Sequence, residues 1–153
     1  MLPEISPSWN TVDIDPSWSS VWLPPRKGED LEGIHARMAG FLRLFIHQID
    51  TRSDMCHHKN VLLFSHAAPI IAMCRHLVAQ PELPLRVGCC TLSQFSRKHD
   101  AGGGGQDSEA SGWEAVSLAS CSHLTQRASV RDWGFEDVVI DDITGEVCLH
   151  LRS

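Results

Sequence analysis

At 153 residues and 42% apolar composition, the chain is long enough for one domain and apolar enough to bury a core. A net charge of -6, with 13 scattered basic residues, excludes a general binder of nucleic-acid backbones, which needs a basic patch or stripe; a subunit held near DNA by other proteins stays compatible. No run approaches the ~18 apolar residues of a membrane span, and the opening Met-Leu-Pro-Glu-Ile-Ser-Pro lacks the basic start and apolar stretch of a signal peptide.

Residues 1–28 hold five prolines, at 3, 7, 16, 24 and 25, and tryptophans at 9, 18 and 22. Proline breaks helix and strand ladders alike, and the tryptophans are too apolar for a free linker. The segment either wraps over a surface as an ordered coil or packs against a missing neighbour. Residues 29–50 predict a helix. Leu31, Ile34, Met38, Phe41, Leu42, Phe45, Ile46 and Ile49 form one apolar stripe at the helical period, and Glu29, Asp30 and Glu32 suit the positive end of its dipole. Thr51 to Lys59 is polar and reads as a loop.

Val61-Leu62-Leu63-Phe64 is a short apolar run without period, which predicts a strand buried on both faces. Ala67 to Ala79 predicts a helix, with Pro69 in its first turn and Ile70, Ile71, Met73, Cys74, Leu77 and Val78 on the buried side; Pro81 and Pro84 end it. Val87 to Arg97 and Trp113 to Leu118 read as strands around a flexible connector at 98–112 that includes four glycines, Gly102 to Gly105. Val138-Val139-Ile140 and Val147-Cys148-Leu149 read as a terminal hairpin. The six cysteines, at 56, 74, 89, 90, 121 and 148, show no C-x-x-C spacing. This predicts free thiols in a reducing, intracellular compartment.

The unit with chemical content is strand, Ser65-His66, helix. A histidine at a strand's carboxyl end lies beside the free N–H groups of the next helix, which favour an anion. A protonated imidazole adds a charge-assisted donor, so the arrangement suits a phosphate oxygen. A histidine that merely caps the helix or packs at a sheet edge fits the same spacing.

The residues Val61-Leu62-Leu63-Phe64-Ser65-His66-Ala67-Ala68-Pro69-Ile70 resemble the second-histidine motif of the histidine phosphatase (phosphoglycerate mutase-like) superfamily. Lys27-Gly28-Glu29-Asp30-Leu31, with Arg37 and Phe41-Leu42, resembles that family's Gly-Glu-started helix. Cys89-Cys90-Thr91-Leu92-Ser93-Gln94-Phe95 resembles its next strand. Trp113 to Leu118 with Ser122-His123-Leu124 resembles its closing strand. The matched span runs from about Gly28 to Leu124, the C-terminal half of such a domain. Pro16 to Ser20, Pro24 to Glu29 and Trp133-Gly134-Phe135-Glu136-Asp137 look most like the fungal phosphatase-like subunits of transcription factor tau of RNA polymerase III.

The resemblance implies an α/β fold, a partial three-layer sheet with flanking helices whose first strand is missing, over residues 29–153. It implies phosphoryl-transfer ancestry and gives His66 the role of the family's second, phosphate-contacting histidine, the one catalytic position that maps. The nucleophilic Arg-His-Gly motif is absent; Arg75-His76-Leu77 sits within the predicted helix, where no strand end presents it. Covalent transfer needs a positioned nucleophile and clustered positive charge, so the expectation is a truncated chain that is catalytically inactive alone and binds phosphate or a phosphorylated ligand weakly. The alternative is a non-catalytic interaction subunit of a tau-like transcription complex with a protein partner. Loss of the first strand leaves an apolar edge that invites association.

Other residues carry bland expectations. Arg37 reads as a solvated helical side chain, His123 as packing or capping, and Cys89 and Cys90 as core thiols on a strand with side chains on opposite faces. Cys56-His57-His58 lacks the further ligands a zinc site requires, so no metal and no cofactor is expected. The glycine run lacks the Gly-Lys-Ser/Thr end of a phosphate loop.

Overall fold

The computed structural model describes residues 16–26, 28–98, 112–128, 130–140 and 147–149. They form a mixed α/β arrangement of two helices and two two-stranded antiparallel sheets. Helix α1 spans Leu31–Thr51 and α2 spans Ala67–Leu77; strands β1 (Leu92–Arg97), β2 (Trp113–Ser120), β3 (Val138–Ile140) and β4 (Val147–Leu149) follow.

Helix α1 starts at Asp30, whose carboxylate accepts the Gly33 N–H at 2.7 Å and satisfies one of the free donors of the first turn. Its stripe buries Ile34, Met38, Leu42 and Ile49 as the spacing predicts, while Leu31, at the start, stays exposed. The Trp-rich segment lies along α1 over its described part. Trp18 meets Phe45 edge-on at 5.9 Å, and the Arg52 guanidinium sits 5.5 Å from the Trp18 ring centre. Trp22 covers the bare backbone at Gly40, where an added Cβ would lie 2.5 Å from the ring. Of the two expectations for this segment, wrapping over a surface holds for 16–26.

Helix α2 is the centre of the core. Ala72, Met73 and Leu77 pack with Ile34, Met38 and Leu42 of α1. Ile71 and Cys74 pack on its other side against Leu85 and Val87. A helix apolar on more than one side is one covered on more than one side. It ends two residues before the predicted Ala79. Ala79 takes a left-handed φ of 55°, its N–H donates to His76 O at 3.0 Å, and Gln80 N–H donates to Arg75 O at 3.0 Å. This reversal satisfies the last carbonyls, and Pro81 follows where a proline cannot continue the helix.

Strands β1 and β2 pair antiparallel, from Leu92↔Ser120 to Arg97↔Trp113, with register shifts on both sides of Gln94. The expected strand at 87–97 is shorter than its β-branched content predicts, because the chain turns over Gly88-Cys89-Cys90-Thr91. Val87 forms an isolated antiparallel bridge to Trp133 instead. Strands β3 and β4 pair as the expected hairpin, Val138↔Leu149 to Ile140↔Val147. The expected connector at 98–112 falls almost entirely outside the described residues.

One expectation fails. Val61-Leu62-Leu63-Phe64 forms no strand. The run enters no ladder among the described residues, and its side chains stay exposed: Val61 49%, Leu62 64%, Leu63 41% and Phe64 90%. A strand buried on both faces needs strands beside it and layers above and below. Among the described residues both sheets are two-stranded, and neither includes this run.

Candidate functional site

His66 is the N-cap of α2. Its backbone is extended, with φ -103° and ψ 168°, and its carbonyl accepts the Ile70 N–H at 3.1 Å. The imidazole makes no capping hydrogen bond and is exposed. The sequence therefore places the histidine correctly at a helix start, and of the two bland readings the side-chain cap is not formed. Ala67 and Ala68 carry the first N–H groups of α2, and Pro69 carries none, so the helix offers an anion fewer donors than an ordinary first turn.

Four arginines, Arg37, Arg75, Arg86 and Arg97, are engaged by other groups. Arg37, expected to be solvated, is held instead by Glu29. Its Nε donates to both carboxylate oxygens at 2.9 and 2.8 Å, and its Nη2 also contacts Glu29 Oε1. These hydrogen bonds to Arg37 hold the Glu29 carboxyl below its ordinary range and raise the Arg37 guanidinium in turn. The pair closes the start of α1 and commits the Arg37 fork to Glu29.

Arg75 lies in α2, nine residues beyond His66 and thus about 13 Å along the helix. It is buried, donates from Nε to Leu83 O at 3.0 Å, and stacks 5.1 Å from the Phe135 ring centre. Its Nη1 also reaches His35 Nε2 at 3.4 Å, while His35 Nδ1 donates to Leu31 O at 2.7 Å. Arg75-His76-Leu77 is thus part of a packed helix, as expected.

Arg86 is equally committed. It donates to Asp137 Oδ1 and Oδ2 at 2.9 and 2.7 Å, to Glu136 Oε1 at 3.0 Å, and to Asp132 Oδ2 at 3.3 Å. These carboxylates, Asp137 first, raise the guanidinium well above its ordinary value. Asp137 is buried and also accepts the Gly134 N–H at 3.0 Å. The network pins the Trp133–Asp137 stretch onto the Leu85–Val87 side of the core. Arg97 donates to both oxygens of Asp50, at 2.9 and 2.8 Å.

Two remaining expectations divide. His123 behaves as expected for a structural histidine: its Nε2–H donates to Cys90 O at 2.9 Å. Cys89 and Cys90 do not. They are exposed free thiols rather than core thiols, because Gly88 to Thr91 forms a turn in which Cys90 takes a left-handed φ of 61°. Strand composition misled here, and the glycine before the pair was the signal that a turn begins. Of Cys56, Cys74, Cys89, Cys90 and Cys121, Cys74 is the one buried, and burial raises its thiol above the ordinary value, offset in part by a hydrogen bond with Ser93. Among the described residues, no three His, Cys, Asp or Glu side chains are grouped to hold a metal ion, and no helix is long and apolar enough to cross a membrane.

The arrangement can present one imidazole and two backbone N–H groups to an anion. Arg37, Arg75, Arg86 and Arg97 are each committed to partners elsewhere. The chain matches no family model and no curated protein.

Proposed function

We propose that the chain is a histidine-phosphatase-like protein that is catalytically silent by itself and retains a weak anion contact at His66. The observation behind this reading is His66, exposed at the N-cap of an 11-residue helix with no side-chain capping hydrogen bond. The order of the family-like segments adds to it, and so does the absence of Arg-His-Gly from the sequence. Helix N-termini attract anions through their free N–H groups and dipole. Without clustered positive charge the binding is weak, and without a nucleophile no phosphoenzyme forms. In this reading the full three-layer sheet forms only when further strands complete it.

The test is a titration of the chain with inorganic phosphate, followed by NMR of the histidine rings, beside an assay with an aryl phosphate. The expected result is a His66 shift that saturates only in the millimolar range or above, absent in His66→Ala, with no turnover. Turnover that disappears in His66→Ala refutes the silent reading. A phosphate response unchanged in His66→Ala removes the site.

A second reading, a non-catalytic subunit of a tau-like transcription complex, is favoured by a different observation. Four consecutive large apolar side chains at 61–64 stand in solvent. Such a run is costly to leave bare and is matched by an apolar strand from a partner chain, which supplies the ladder and the cover it lacks. A nuclear location belongs to this reading. A partner that binds the wild type and His66→Ala equally, and is lost from Phe64→Ser, supports it. Retention by Phe64→Ser counts against it.

A further inference from the structure

The turn Gly88-Cys89-Cys90-Thr91 carries two adjacent free thiols, both exposed. It is anchored on three sides. Thr91 Oγ1 donates to Gly88 O at 3.0 Å across the turn, Cys89 N–H donates to Val130 O at 2.9 Å, and His123 donates to the Cys90 carbonyl at 2.9 Å. Cys90 holds a φ of 61°, in a position that ordinarily selects glycine. The backbone between the two sulfurs is thus fixed by contacts outside the pair, and the thiols project from it into solvent.

Fixed adjacency decides what the pair can bind. The Cα atoms of neighbouring residues are about 3.8 Å apart across a trans peptide, and the chain has no cis peptide among its described residues. An ordinary disulfide needs roughly 4.4–6.8 Å between Cα atoms. A direct bond between Cys89 and Cys90 is therefore strained and easily reduced. A single soft atom placed between the two sulfurs widens the ring and removes that strain. Thiolates are the preferred ligands of such soft centres.

We infer that Cys89 and Cys90 form a dithiol chelate site for one thiophilic atom, with trivalent arsenic as the class of ligand it takes. With an aryl arsine oxide, two arsenic–sulfur bonds form and the arsenic–oxygen bond breaks. The oxide oxygen leaves as water with the two thiol protons, and arsenic stays trivalent. Cys121, just beyond Ser120, which pairs with Leu92 two residues after Cys90, is the nearest competitor for the same atom by register.

The test treats the full chain with phenylarsine oxide at one equivalent, and reads the intact mass and the thiols still open to alkylation. The expected result is one arsenical per chain, protection of Cys89 and Cys90 together, and release by a small dithiol. Cys89→Ser and Cys90→Ser should each lose the adduct, and Cys121→Ser should keep it. Cys90→Gly also removes the thiol and suits the left-handed backbone, so loss of the adduct there cannot be ascribed to misfolding. An adduct that survives in Cys90→Gly, or that vanishes in Cys121→Ser, overturns the assignment.

Discussion

Replacing Phe64 by serine separates the chain as it stands from the chain its sequence first predicts. Phe64 keeps 90% of its surface in water. Full burial of a phenylalanine contributes ~1.5–3 kcal/mol, so the covered tenth contributes only about 0.2–0.3 kcal/mol. Were the 61–64 run a strand packed on both faces, the same truncation would cost roughly 3–5 kcal/mol. For a chain of this length 1 kcal/mol moves the midpoint by about 2–4 °C. Phe64→Ser should therefore shift thermal unfolding by about 1 °C or less, and the buried-strand alternative demands a loss of roughly 10 °C. Ile71→Ala is the internal standard: Ile71 has no exposed surface, and its truncation should cost about 2–5 kcal/mol. Far-UV circular dichroism on heating reads both variants against the wild type. If Phe64→Ser falls as far as Ile71→Ala, the run is buried in solution and the case for a bare apolar segment collapses.

Three further outcomes follow from the packing and the ion pairs. Glu29 is held below its ordinary 4.5 by Arg37, so its contribution to stability is present above the unfolded value and is lost as pH falls through the folded one; Glu29→Gln should flatten the acid side of the denaturation profile, and an unchanged profile refutes the pair's role. Cys74 has a raised thiol pKa from burial, so its share of stability is intact below 9.0 and lost as pH rises through the folded value. In a timed alkylation Cys56, Cys89 and Cys90 should react first and Cys74 only on unfolding; early labelling of Cys74 would place it outside the core. Gly40→Ala should gain about 1 kcal/mol of helix propensity in a Trp22→Ala background and less in the wild type, where the new methyl meets the Trp22 ring; additive denaturation midpoints would mean that Trp22 does not rest on Gly40.

Legibility followed the range of the forces involved. The helices were readable because their signals are local: Ile34, Met38 and Leu42 repeat every four residues, and Asp30 caps three residues before Gly33. The β3–β4 hairpin was readable because its partners lie close in sequence. The Val61–Phe64 run was misread because burial of a strand is a property of its neighbours, and an apolar run states only that neighbours are needed. Cys89 and Cys90 were misread for the converse reason. Their composition suits a strand, but the turn is fixed by Val130 and His123, more than thirty residues away. At the candidate site, the helix start at His66 was legible because histidine and helix are contiguous, whereas the strand end expected before it is absent among the described residues. That Arg37 would be taken by Glu29 was not legible, since the pair spans eight residues around a helix start.

The two readings of function meet on one stretch of backbone, and this makes them separable. Phe64 lies two residues before His66, which sets the direction of the α2 N-terminus. A partner strand docked on 61–64 would fix the backbone leading into His66, and an anion at the α2 N-terminus would favour the same backbone. If both ligands select one conformation, each must raise the affinity of the other by the same factor. The phosphatase-like reading, in which added strands complete a sheet that carries the anion site, therefore requires phosphate affinity to rise when the partner binds, and partner affinity to rise equally with phosphate. A pure interaction surface requires no such reciprocity: His66→Ala would leave partner affinity unchanged at every phosphate concentration.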